Sequence, residues 1–261
     1  MLATVRHDRI LTALRATGAV RIADLAADLD VSEMTVRRDL AELAERGLVR
    51  KVHGGAVAPD APRPGDEPAF AAKSDLMAAE KAGIARAAAC LVEPGASVAI
   101  SAGTTTHALA HELVRRTDLR PLTVVTNSLP VADTLYRADG VTTVLTGGER
   151  TPSDALVGPL AEAALADLRV DVAFLGAHGV SVDHGLTTPN LAEASTDRAL
   201  RAAAAATVVL ADHSKWQVTG LARWARLDDV DVLVTDDGLE PADRDAAAEH
   251  AGRVVVAEVA R

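Results

Sequence analysis

Arg37 and Arg38 stand side by side in "VSEMTVRRDL" (31–40), a few positions after Ser32. Laid on a helix at about 100° per residue, Val36, Leu40, Leu43 and Ala44 share one apolar arc, and Met34, Arg38, Ala41 and Glu45 lie opposite. Ser32 is placed to cap this helix by accepting an N–H bond, and Glu33 suits its positive end. An arginine presented in this way donates two bonds to guanine O6 and N7, while basic neighbours clamp phosphate. The plainer reading is a solvated face on which Arg37 and Arg38 pair with Glu42 and Glu45. A second cluster, Gly103-Thr104-Thr105, is a glycine turn with hydroxyls between a strand pattern and a helix pattern. Free N–H groups at a helix start attract phosphate or carboxylate, and Lys215 in "DHSK" adds a point charge. Its plainer reading is a turn with threonine caps.

The elements that must position the arginines are three helical patterns at 5–17, 22–29 and 33–46, with Gly18 stopping the first. "LVRKVHGGAV" then gives two short strands around a His53-Gly54-Gly55 turn. A short helix, a turn, a second helix and two strands make a winged helix-turn-helix, whose second helix enters the major groove by its N-terminal half. Ser32, Thr35, Arg37, Arg38, the basic strand Arg50-Lys51 and His53 form the candidate DNA-facing set.

Past residue 70 the rhythm changes. "SVAIS", "LTVVT", "VTTVLT", "VAFLG", "TVVLAD", "DVLVT" and "RVVVAE" alternate with alanine-rich helical stretches at 76–92, 105–116, 156–168 and 191–206. Strands apolar on both faces and separated by helices imply an α/β domain with a mostly parallel sheet. The carboxyl ends of such strands gather at one edge. "SAGTTT", "TNS", "TGGER", "GAHG", "DHSK" and "TDDG" should therefore line one crevice. Between the two regions, "APDAPRPGDEPAF" (58–70) carries four prolines and reads as an extended connector. The expected division is residues 1–57 for DNA binding, 58–74 as linker, and 75–261 for effector sensing and oligomerisation.

Composition narrows the function classes. Of the 261 residues, 49% are hydrophobic and 2% aromatic, which suits cores of Ala, Val and Leu. Formal net charge is −10, yet residues 1–57 hold nine Lys/Arg against eight Asp/Glu, so only this piece can approach nucleic acid. No apolar run reaches the ~20 residues of a membrane span, and no secretory pattern opens the chain. The single cysteine, Cys90, reads as a small buried hydrophobe in a reducing cytoplasm. His107 and His111 have metal-pair spacing but no third ligand nearby, so neither metal nor cofactor is expected.

From Arg6 to Val57, "TVRRDL" followed by "HGGA" resembles the DNA-binding domain of the DeoR-type bacterial transcriptional regulators. Residues 75–258, with "GTTT", "LTVVTNSL", "VLTGGE", "VDVAFLGAHGV", "GLTTPNLAEA" and "VVLADHSKW" in family order, resemble the effector domain, whose fold is related to sugar-phosphate isomerases and CoA transferases. The resemblance implies a cytoplasmic repressor, a dimer or tetramer, that binds double-stranded operator DNA through Thr35, Arg37 and Arg38. A phosphorylated sugar would release it, with Gly103, Thr104 and Thr105 on phosphate and Asn127, Gly148, His178, Glu193 and Lys215 around the sugar. Two positions depart from the family: Ser101-Ala102 where many relatives carry Asp-Ser, and Asp197 where they often carry Lys. Two other readings compete. An isomerase-like enzyme would need a base and a polariser, for which Glu193, Asp212 and Lys215 are conceivable. A ligand-independent DNA-binding regulator would need no crevice at all.

Overall fold

The computed structural model describes residues 3–17, 19–29, 31–52, 55–57, 70 and 74–259. The chain divides into two compact units, Met1–Pro64 and Gly65–Arg261. His53, Gly18 and most of the expected 58–74 linker lie outside the described residues.

The first unit runs α1 (Ala3–Thr17), β1 (Ala19–Arg21), α2 (Ile22–Leu29), α3 (Glu33–Glu45), β2 (Arg50–Val52) and β3 (Gly55–Val57). Ile10, Leu14, Leu25, Leu29, Val36, Leu40, Leu43, Val49 and Ala56 make its core. α3 ends where Gly47 turns to φ +69°, with Gly47 N–H donating to Ala44 O at 2.9 Å and Leu48 N–H to Leu43 O at 2.9 Å. This paired closure needs a left-handed residue, which glycine supplies without a Cβ penalty. The wing is a three-stranded antiparallel sheet in the order β1-β3-β2. β1 is the strand of this unit that the sequence pattern did not announce.

In the second unit, seven parallel strands stand in the order β15-β14-β12-β9-β4-β5-β6. They are β4 (Ser97–Ile100), β5 (Leu122–Thr126), β6 (Val141–Leu145), β9 (Val170–Gly176), β12 (Ala204–Leu210), β14 (Val232–Asp236) and β15 (Val254–Ala257). Side chains alternate across the sheet: Val98, Ile100, Val124 and Phe174 pack into one layer, and Ala99, Val125, Ala173 and Leu175 into the other. The first layer is covered by α4 (Ala78–Ala89), α5 (Thr104–Arg115) and α6 (Leu129–Leu135), the second by α7 (Pro159–Ala166), α8 (Leu191–Ala202) and α9 (Pro241–Ala248). A two-stranded hairpin of β7 (Glu149–Arg150) and β8 (Leu156–Val157), and a small antiparallel sheet of β10 (Gly179–Ser181), β11 (Gly185–Thr188) and β13 (Ala222–Ala225), complete the unit.

Three expectations need correction. The helical stretch 191–206 stops at Ala202, because the alanines from 204 onward pair as β12 beside β9. The stretch 156–168 begins with β8; Gly158 at φ +90° breaks the chain direction and Pro159 starts α7. Cys90 is exposed rather than buried: it follows the last turn of α4, with Sγ donating to Arg86 O at 3.4 Å.

Candidate functional site

At the start of α3, the Ser32 hydroxyl accepts from Thr35 N–H at 3.2 Å and lies 2.9 Å from Thr35 Oγ1, so cap and first turn are locked together. Val36, Asp39, Leu40 and Leu43 turn inward. Arg37 pairs with Glu33 at 3.0 Å and Arg38 with Glu42 at 3.6 Å, the Arg38 side chain being 83% exposed. Both pairs are solvated i,i+4 contacts, each worth about 0.3–0.5 kcal/mol, so a phosphate or base edge can replace them at small cost. Lys51 is exposed on β2, opposite Ala56. Arg50 occupies the same strand, opposite Val57.

What the sequence reading missed is Asp39. Its carboxylate is 4% exposed and receives Arg6 Nε at 2.7 Å and Arg6 Nη2 at 2.9 Å, with His7 Nε2 at 3.2 Å. The Arg6 guanidinium, then the His7 contact, hold the Asp39 carboxyl below the ordinary carboxylate range against the opposing effect of burial. This clasp ties α1 to the inner face of α3 and leaves the outer face to Arg37 and Arg38. A lone Asp in "RRDL" gives no sign of it, since its partners stand more than thirty residues earlier.

The second site forms where the sheet reverses its order. β4 has β5 on one side and β9 on the other, so the chain winds outward in both directions from it. The crevice at the carboxyl ends of such a pair is the expected ligand position. An open cleft of about 780 Å³, measured out to solvent, lies there. Gly103, Thr104, Thr105, His178, Glu193 and Lys215 all line it. Gly103 precedes α5 and the first intrahelical bond runs from His107 N–H to Gly103 O at 3.0 Å, which leaves the first-turn N–H groups directed at the cleft end of the helix.

Asn127 and Gly148, expected around the sugar, are not among the lining residues. Asn127 is buried and works on the backbone: its Oδ1 accepts from Ala102 N–H at 3.0 Å and its Nδ2 donates to Leu156 O at 3.1 Å. It therefore holds the turn before α5 to the strand β8. Gly148, at φ +123°, lies against Val157, where an added Cβ would stand 2.5 Å from the Val157 carbonyl oxygen. Its role is close backbone packing in the hairpin.

The departure at Ser101 also has a structural role. Ser101 is buried, and its hydroxyl accepts from Gly176 N–H at 3.0 Å, bridging the ends of β4 and β9 at the reversal point. Glu193, in the first turn of α8, accepts from Thr151 Oγ1 at 2.7 Å, from Ser153 Oγ, and from Thr188 Oγ1 at 3.4 Å. Asp197 and, from "DHSK", Asp212 also line the cleft, and with them one charged group unannounced by motif: Lys81, 5% exposed in the first turn of α4. Lys81 sits in "EKAGIARAAA", where its burial could have been read only from its place among the alanines. His107 packs against α6 and against its own helix. Its Nε2 contacts Thr134 Oγ1 at 2.9 Å, its ring stacks edgewise on His111, and burial followed by the His111 charge push its pKa down. No group of three or more His, Cys, Asp or Glu among the described residues is arranged to hold a metal.

Comparison with known proteins gives the same two-part picture. Residues 6–61 match the DeoR-like helix-turn-helix domain, and residues 77–237 match the DeoR C-terminal sensor domain. The chain is 34% identical over 252 residues to a putative aga operon transcriptional repressor of Escherichia coli O157:H7, covering 96% of this chain and 92% of the relative. It is 38% identical to the transcriptional repressor AccR of Agrobacterium fabrum, over 89% of each chain. Against a glycerol-3-phosphate regulon repressor of Haemophilus influenzae it is 32% identical over 91% of each. Among solved structures, ribose 5-phosphate isomerase A of Methanocaldococcus jannaschii aligns at 21% identity over 52% of this chain and 53% of its own, with a TM-score of 0.40, too distant to carry function. With a capped recognition helix, a cleft at the sheet's reversal point, and relatives matched along nearly their whole length, the chain belongs to the DeoR family of transcriptional regulators.

Proposed function

We propose that this protein is a cytoplasmic transcriptional repressor that binds double-stranded operator DNA as a homo-oligomer and leaves it when a phosphorylated sugar or related carbohydrate occupies the cleft. The observation that carries the reading is the convergence of the Gly103–Thr105 helix start and Lys215 on one cleft in a chain whose other unit presents Arg37 and Arg38 outward. On the DNA side Thr35, Arg37 and Arg38 read and position, Ser32 caps, and Arg50, Lys51 and His53 supply the wing's contacts. On the effector side Gly103, Thr104 and Thr105 hold phosphate, with His178, Glu193 and Lys215 on the sugar; Asn127 and Gly148 shape the walls behind them. The matched relatives named above are repressors, one of them of a glycerol-3-phosphate regulon, which supports regulation over turnover.

Footprinting on the chain's own upstream region should show a protected, (pseudo)palindromic site. Arg38→Ala should weaken that site by about 1–3 kcal/mol and flatten the preference at one base pair, with thermal stability unchanged. An unaltered footprint in Arg38→Ala would sink the groove assignment. Thr104→Val should bind the operator normally and respond poorly to sugar phosphates; full release in that variant would remove the phosphate assignment.

A further inference from the structure

The charge on the cleft wall constrains what can fill it. Three carboxylates, Glu193, Asp197 and Asp212, line the cleft against two lysines, Lys81 and Lys215. Glu193 and Asp197 are four residues apart on α8 and so share one face of that helix, with Cβ atoms about 5–6 Å apart. Asp212 is 1% exposed; its Oδ1 is taken by Ser214, and its Oδ2 has no hydrogen-bond partner among the described residues. A buried carboxylate oxygen is costly until a donor reaches it. A phosphate dianion entering at the Gly103–Thr105 turn adds to this negative excess unless the same molecule also brings a positive charge.

We propose that the effector is zwitterionic, a phosphorylated amino sugar, with its phosphate at the start of α5 and its protonated amine facing Glu193 and Asp197. Asp212 accepts from the amine or an adjacent hydroxyl. Asp197 is then the specificity-determining residue, setting aminated against neutral sugar phosphates. The inference rests on the phosphorylated-carbohydrate reading above.

The test titrates the full chain with 2-amino-2-deoxyhexose 6-phosphates, their N-acetyl forms and plain hexose 6-phosphates, in gluco, galacto and manno configurations, alongside the unphosphorylated hexosamines. Tryptophan fluorescence and thermal unfolding serve as readouts. The chain has two tryptophans, and Trp216 borders a small cavity shared with Asp212. In one configuration the amine should bind at least tenfold tighter than both its N-acetyl and its plain counterpart. Asp197→Asn should level that preference and Asp197→Lys should reverse it. Neutral phosphates binding as tightly as amines, or a preference that survives Asp197→Lys, would overturn the proposal while leaving the phosphate reading intact. If the free hexosamine matches its phosphate, the phosphate reading falls and the amine assignment stands. No response to any probe overturns both.

Discussion

Asp39 shows how a single side chain fixes which face a helix presents. Arg38 reaches outward because the opposite side of its helix is fastened, and the fastening is a forked Arg6–Asp39 pair with His7 beside it. The fork geometry matters, since two parallel bonds define an angle as well as a distance. Asp39→Asn should therefore lower operator affinity even though residue 39 faces away from DNA, and Arg6→Lys, which keeps the charge but loses the fork, should lower it nearly as much. The pH dependence has a definite sign. Asp39's folded pKa lies below its unfolded value of about 3.9. Its contribution is thus fully present above about pH 4 and disappears as pH falls through the folded pKa. An acid titration of wild type and Asp39→Asn followed by circular dichroism should show curves separated at neutral pH and converging at the acid end. A constant gap down to pH 2 would mean that the carboxylate's charge is not what stabilises the fold.

At the level of elements, the strands were the most legible part. All seven apolar runs became the seven strands of the parallel sheet; the inner strands are legible because helices cover both of their faces and burial dictates their composition, while the edge strand β6 keeps its apolar run although Val144 and Leu145 are exposed. The small sheet of β10, β11 and β13 was not visible. Its strands, "GVS", "GLTT" and "ARWA", are short and mixed, and pairing with one another rather than hydropathy defines them. The cleft was legible as a set of strand-end motifs, but not which members face it. Asn127 and Gly148 follow strands just as Gly103 and His178 do, and only the three-dimensional path of β7 and β8 turns them into wall supports. That assignment is testable. Asn127→Ala removes a buried acceptor from Ala102 N–H and a donor from Leu156 O, which should cost about 1–3 kcal/mol and lower the melting temperature by roughly 2–4 °C per kcal/mol. Effector affinity should fall with it, because the turn before α5 loses its tether. Gly148→Ala should destabilise the second unit more sharply, since the Val157 backbone must move. A melting temperature unchanged in both variants would contradict the supporting roles given to them.

Across the whole molecule, residues 1–57 carry a formal +1 and the rest −11, a distribution that disfavours non-specific DNA binding and leaves recognition to a surface of few basic groups. The connecting chain is one route by which such a protein can link its cleft to its DNA-binding unit, and one anchor of that chain is defined. Phe70 N–H donates to Pro152 O at 3.2 Å, the Phe70 carbonyl accepts from Ser74 Oγ at 3.0 Å, and the ring meets His107 edge-on at 5.4 Å. Pro152 stands between Thr151 and Ser153, two of the three residues whose hydroxyls bond Glu193. An effector that engages Glu193 competes for those hydroxyls, and the loop it disturbs is the one that holds the connector. Coupling of this kind is reciprocal: whatever factor the effector takes from operator affinity, operator DNA must take from effector affinity. Wild-type protein titrated with effector, free and saturated with an operator fragment, should show equal factors measured from either side. Phe70→Ala, which removes the ring's contact with His107, leaves the two backbone bonds of residue 70 in place and touches neither site, should keep both individual affinities and lower the shared factor. If the factor is unchanged in Phe70→Ala, the packing of the Phe70 ring on His107 plays no part in the signal.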